Sequence, residues 1–170
     1  MEIERKYIVK GNEWKSEVTE SHHICQGYLS TDTRRTVRVR LTDEKAYLTI
    51  KGQSADGGLS RPEYEYEIPA DDARQLLLIA INVIEKTRHI IPITGTRIIG
   101  SEQGQKTQTV NLKIELDVFE GENEGLVMAE VELPDTATTF TPPGYLVQEV
   151  TGVERYYNLY LAQHPFRTWF

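Results

Sequence analysis

Hydrophobic and polar positions alternate along most of this chain. Residues 2–9, 24–29, 36–41, 46–51, 63–68, 83–91, 111–119 and 126–133 each show a period-2 pattern rich in Val, Ile, Tyr and Thr, so eight strands are expected. Turn signals such as Thr42-Asp43-Glu44 and Gly57-Gly58 separate them. Residues 52–60 form a Gly-bearing loop long enough to move. The polar segment 94–109 (TGTRIIGSEQGQKTQT) reads as a long hairpin tip, and Pro92 interrupts the pattern just before it.

Two stretches change period. After Pro69 closes a strand, Asp71 or Asp72 is placed to cap a helix through Ala73-Arg74-Gln75-Leu76-Leu77-Leu78. A second helix is expected over about residues 152–163, where Val153, Tyr156, Tyr157, Tyr160 and Leu161 recur at helical spacing behind the stiff turn TPPGYL. With no solenoid repeat and no linker, residues 1–170 read as one domain. The fold class is α+β, mostly β.

The charges are what make the strands unusual. Side chains at i, i+2 and i+4 share a face. Glu2, Glu4 and Lys6 do so, as do Arg38 with Arg40, Glu63 with Glu65, Lys86 with Arg88, Glu115 with Asp117, and Glu130 with Glu132; Thr49 and Lys51 stand opposite Leu48 and Ile50. In an ordinary half-buried sheet the charged face meets water. Here carboxylates and cations are aligned strand after strand, and an eight-stranded closed antiparallel barrel offers the alternative of a charged lumen wide enough for one small ligand. The helices would then pack outside. So many inward charges are costly unless something complementary enters. Divalent cations answer the acids and a polyanion answers the bases. Oxygen donors favour Mg²⁺, Mn²⁺ or Ca²⁺ over softer ions.

Composition narrows the classes further. Apolar residues make up 39% and charged residues 26% of the chain, as in a folded globular protein. The net charge of −7 argues against a nucleic-acid partner. No apolar run reaches membrane-span length, no leader pattern precedes the first strand, and a lone Cys25 suits a reducing compartment, so a cytoplasmic protein without membrane partners is expected.

The paired motifs, from Glu2-x-Glu4-x-Lys6 to Glu130-x-Glu132, resemble those of the CYTH domain family, the triphosphate tunnel metalloenzymes. Gln26-Gly27-Tyr28-Leu29, Gly58-Leu59-Ser60-Arg61, Asp117-Val118-Phe119, and Glu149-Val150-Thr151 leading to Arg155-Tyr156-x-Asn158 extend the resemblance over nearly the whole chain. It implies an eight-stranded tunnel and divalent-metal chemistry on triphosphates. Small chains of this kind look most like inorganic tripolyphosphatases. The stretch between Arg88 and Leu112 is longer than in the compact members.

The resemblance implies metal binding by Glu2, Glu4, Glu130 and Glu132, with Glu63, Glu65 and Asp117 as further ligands, and Mg²⁺ or Mn²⁺ as cofactor. Lys6, Arg38, Arg40, Lys51, Lys86 and Arg88 would grip phosphate oxygens. Arg155 either closes one tunnel end or pairs at the surface. The nucleophile is expected to be water; Tyr28 with Lys86 or Lys6 is the candidate base, a glutamate the competing one. Cys25 reads as a small strand residue and His22-His23 as a solvated strand entry. The expected reaction is hydrolysis of the terminal phosphate of a small triphosphate, inorganic tripolyphosphate first. The alternatives are thiamine triphosphate, nucleoside triphosphates, cyclisation of ATP, or binding without turnover. Tyr47, Tyr64 and Trp14 are the aromatics that could stack on an organic substrate at the mouth. The final HPFRTWF docks either on the barrel or on a second subunit, the latter giving a homodimer.

Overall fold

The computed structural model describes residues 1–43 and 45–170. The turn expected at 42–44 includes Glu44, which lies outside the described residues. All eight expected strands form, several of them longer than the pattern predicts. They are β1 (Glu2–Val9), β2 (Glu20–Ser30), β3 (Arg35–Thr42), β4 (Lys45–Gly52), β6 (Glu63–Ile68), β7 (Ile81–Ile99), β8 (Lys106–Phe119) and β9 (Val127–Glu132). Three short strands join them: β5 (Ser60–Arg61), β10 (Thr138–Thr139) and β11 (Leu146–Glu149). Among the described residues no helix is long and apolar enough to cross a membrane.

The main strands pair antiparallel in the order β1-β9-β8-β7-β2-β3-β4-β6, with β11 on the other edge of β1. Just before β6 lies β5, which leads through Pro62 into it, and β5 pairs with β1 through Glu2↔Arg61 and Ile3↔Ser60. The backbone N–H of Glu4 also donates to the carbonyl of Leu59 at 3.1 Å. The circuit therefore returns to its first strand, and the eight-stranded barrel closes through a two-residue seam.

The segment expected as a hairpin tip is mostly ladder. β7 and β8 pair from Lys86↔Phe119 to Ile99↔Lys106, leaving only residues 100–105 to turn. Pro92 is accommodated because β2 has already ended there. The Ile90 carbonyl accepts from Thr19 N–H on that edge, and Pro92, two residues on, presents its N–H-less nitrogen to the same unpaired side.

Both helices differ from expectation at their starts. α1 (Ala70–Ile79) begins directly after Pro69, so Asp71 and Asp72 lie in its first turn, favourable to the helix dipole, without side-chain capping. It packs outside the barrel, with Ala73 against Val39 and Ala46. The C-terminal helix is shorter than 152–163. A 3-10 turn spans Glu154–Tyr156, Tyr157 is extended, and α2 covers only Asn158–Gln163. α2 does not pack outside: Leu161 and Ala162 bury against Tyr28, Ile84, Phe119 and Met128. Those residues share strand faces with Gln26, Lys86, Asp117 and Glu130, so α2 lies across one end of the lumen. The tail docks on its own chain, where Phe166 N–H donates to Asn123 Oδ1 at 2.8 Å and Trp169 packs on Phe166.

Candidate active site

Cross-strand register decides which charges meet. On the inner face Glu4 lies opposite Glu132, Lys6 opposite Glu130, Glu130 opposite Glu115, Arg88 opposite Asp117, and Lys51 opposite Glu63. Arg38 faces Tyr28 and Arg40 faces Gln26. Apart from Asp117 and Gln26, these side chains line two adjoining cavities of about 340 and 220 Å³, which share Glu4, Arg38, Arg40, Lys51 and Glu130. The charged faces look inward.

The smaller cavity is acidic. Glu2, Glu4, Glu63, Glu65, Glu115, Glu130 and Glu132 surround it, facing Arg38, Arg40, Lys51 and Arg88. Carboxylates directly opposite on neighbouring strands repel, and here Glu4↔Glu132 and Glu115↔Glu130 are two such pairs. Burial, with Glu130 adding repulsion, pushes Glu4 up to about 8. Burial likewise raises Glu2, against the pull of Lys51, and it raises Glu132 with help from Glu2 and Glu115. Glu130 is buried too, but Lys6, Arg88 and Lys86 hold it well below the usual range. Such an all-oxygen donor set, with a carboxyl that lacks enough positive charge around it, fits a hard divalent cation.

The larger cavity is mainly basic, lined by Lys6, Arg38, Arg40, Lys51, Arg61 and Lys86. Lys51 Nζ holds both oxygens of Glu2, at 2.9 and 3.1 Å. Arg38 donates to Thr49 Oγ1 at 3.1 Å, and Thr49 donates onward to Glu65 at 2.8 Å. Arg40 grips Gln26 Oε1 through Nε and Nη2 at 3.0 and 2.8 Å. Burial, with Arg38 and Arg88 adding repulsion, lowers Arg40 to about 9. Among the described residues, buried Arg38 Nε and Ser54 Oγ have no hydrogen-bond partner. A polyanion would supply acceptors to these donors.

Lys86 is fully buried between two acceptors. Its Nζ lies 2.7 Å from Asp117 Oδ2 and donates to Asn158 Oδ1 at 2.8 Å. Burial pushes it down to about 7, against the pull of Asp117 and with Arg88 and Arg40 repelling it. Asp117 also takes a two-point contact from Arg88 at 2.7 and 2.8 Å, and Arg88 reaches Glu115 as well. Both oxygens of Asp117 are thus engaged by cations, and it does not line the acidic cavity, unlike the other six residues expected as metal ligands. Lys6 is buried yet raised by Glu130 and Glu4, so it stays a fixed cation. The Tyr28 phenol is raised by burial and accepts from Gln26 at 3.4 Å, with no direct hydrogen bond to either lysine among the described residues.

Other expected residues fall elsewhere. Arg155 is exposed and stacks on Trp169 at 4.0 Å rather than entering the cavity. Trp14 is core, Tyr64 is exposed on the outer face, and Tyr47 lines neither cavity. Besides Tyr28, the aromatic lining the larger cavity is Tyr157, with Lys6 and Arg61 over its ring at 5.1 and 5.7 Å. Arg61 and Asn158 complete the polar lining, and Gln26 and Thr49 hold Arg40 and Arg38 beside it, although the charge pattern alone does not single them out. His23 lies within β2, on the outer face with Glu85 and Glu120. The 52–60 loop meets Gly152 at the wall of the larger cavity. At φ +76, Gly152 sits so close that a Cβ there would fall 1.8 Å from the Gly57 carbonyl oxygen.

Comparison with known proteins agrees with this geometry. Residues 1–157 match the CYTH domain. An inorganic triphosphatase of Acetivibrio thermocellus is 42% identical over 168 residues, covering 98% of this chain and 96% of that protein. An inorganic triphosphatase of Nitrosomonas europaea is 32% identical over 173 residues, covering 95% of this chain and 96% of that protein. A solved crystal structure of an inorganic triphosphatase is 29% identical with a TM-score of 0.57, covering 95% of this chain and 94% of its own. With its model match, its full-length relatives and its charged tunnel in agreement, this chain belongs to the CYTH domain family.

Proposed function

We propose that this protein is a metal-dependent triphosphatase that removes the terminal phosphate of inorganic tripolyphosphate by in-line attack of water. The observation that carries this reading is the polarity of the tunnel: opposed carboxylates in one cavity open directly into a cluster of buried cations in the next. The inorganic triphosphatase relatives support the same substrate class.

Glu2, Glu4, Glu63, Glu65, Glu130 and Glu132 would hold Mg²⁺ or Mn²⁺, which when bound neutralises phosphate charge and stabilises the developing leaving group. Arg38, Arg40, Lys51 and Arg61 bind phosphate oxygens, with Arg88 locked behind them by Asp117. Lys6, held protonated by Glu130 and Glu4, keeps a positive charge against the transferring phosphoryl group. Lys86, whose affinity for its proton is weakened by burial, is the side chain suited to take a proton from water. Tyr28 remains a neutral phenol that orients through Gln26.

The test is phosphate release by purified protein from tripolyphosphate, thiamine triphosphate, ATP and pyrophosphate, each with Mg²⁺, Mn²⁺, Ca²⁺ or EDTA. Rapid release from tripolyphosphate that EDTA abolishes is the expected result. Preference for ATP or thiamine triphosphate would replace the substrate, cyclic AMP from ATP would replace the reaction, and tight binding without release would make the protein a sensor.

A further inference from the structure

We infer that Asn158 is the positioning residue for Lys86, fixing the direction in which the amine faces the cavity. This rests on the triphosphatase reading above. Lys86 Nζ has three substituent directions besides its carbon stem. One points to Asp117 Oδ2 at 2.7 Å and one to Asn158 Oδ1 at 2.8 Å. The third is left for the cavity that Lys86 itself lines. With Asp117 alone, the flexible lysine stem could swing around the carboxylate, which Arg88 also occupies. A second acceptor from a different element removes that freedom.

Asn158 is itself held from two sides. It opens α2, whose Leu161 and Ala162 are buried in the core at the tunnel end. Its Oδ1 also accepts from Gln26 Nε2 at 3.3 Å, and Gln26 Oε1 is clamped by Arg40. A relay therefore runs from Arg40 through Gln26 to Asn158 and Lys86, joining a phosphate-facing guanidinium to the amine. An amide suits this position because it accepts a hydrogen bond without adding a second negative charge beside Asp117 or facing the incoming anion. The short C-terminal helix thus does more than stop the tunnel: it supplies one fixed point of the reacting group.

The experiment is a double-mutant cycle on tripolyphosphate hydrolysis with Asn158→Ala, Lys86→Ala and the double variant, separating kcat from KM. Asn158→Ala should lower kcat by roughly 10- to 100-fold with little change in KM, and it should cost far less once Lys86 is gone. A rise in KM alone, or full additivity of the two losses, would overturn the inference. If Asn158→Ala does not fold, Asn158→Ser is judged by the same two criteria. Should the parent hydrolyse no triphosphate at all, the functional reading fails separately. The positioning is then read from the Lys86 ¹⁵Nζ signal by NMR, where a shift in the Asn158 variant supports it and an unchanged signal refutes it.

Discussion

The two cavities of the tunnel are built from the same strands yet solve opposite problems. In the acidic one, carboxylates stand opposite carboxylates, and burial, with repulsion from Glu130, pushes Glu4 up to about 8. In the basic one, cations are spaced by neutral partners: Gln26 beneath Arg40, Thr49 beneath Arg38, Asn158 beneath Lys86. The acidic cavity lacks positive charge that only an added ion can bring, while the basic one is arranged in advance. The difference teaches that metal binding should alter the acidic half far more than phosphate binding alters the basic half.

The largest effect should come from Glu130→Gln or Glu4→Gln. Each is expected to lower tripolyphosphate turnover by about a thousandfold or more, with binding of the metal-free anion less affected. Unchanged turnover in both variants would break the assignment of the acidic half. Next, Arg40→Ala should raise KM by about 10- to 100-fold, the worth of a lost charge-assisted hydrogen bond. If both kcat and KM were unaltered, the basic half would not be the anion site.

Metal and pH sharpen the contrast in stability. Added Mn²⁺ should raise the thermal midpoint over that in EDTA, because binding to the folded state stabilises it by mass action, and Glu4→Gln should shrink that rise. In EDTA the pH dependence has a definite sign. The folded-state pKa of Glu4 is raised to about 8 from 4.5, so folding takes up protons here. Its contribution is fully present below the unfolded value and is lost as pH rises through the folded one. Glu4→Gln should therefore gain stability relative to the parent between about pH 5 and about pH 9. A constant gap would mean that Glu4 is solvated in the metal-free protein. The smallest effect belongs to Arg155→Ala, which removes a cation–π contact on Trp169 outside the cavity. About 0.5–1 kcal/mol of stability and almost no change in turnover are expected, checked by melting and by the same assay.

Much of this was readable from spacing alone. A period of two leaves no choice about which side chains share a face, so Glu2, Glu4 and Lys6, or Lys86 and Arg88, could be assigned together before any strand was paired. Register is another matter. It decides that Asp117 meets Arg88 and Lys86 instead of joining the glutamates, and it depends on turns and bulges that alternation does not encode. The roles of Gln26, Thr49 and Asn158, which the motifs contain without explaining, were hidden for a different reason. Neutral polar residues in strands and at helix starts are common, and only their contacts with buried cations give them meaning. The start of the second helix was also hidden, since helical spacing already runs through Tyr156 and Tyr157 although the backbone at Tyr157 is extended.

The seam at Pro62 has a mechanical consequence. Every other joint of the barrel is a ladder of at least five paired residues, whereas β5 and β1 share two. That joint carries Glu2 and Arg61 opposite each other, with Lys51 on Glu2 and Glu63 beside it. Glu2 and Glu63, two of the glutamates proposed to hold the metal, therefore sit on the hinge line of the cylinder. An ion shared between β1 and β6 would act as a rivet across it, and the amide protons of residues 2–4 and 59–61 should be the barrel's fastest to exchange without metal and among those most slowed by it.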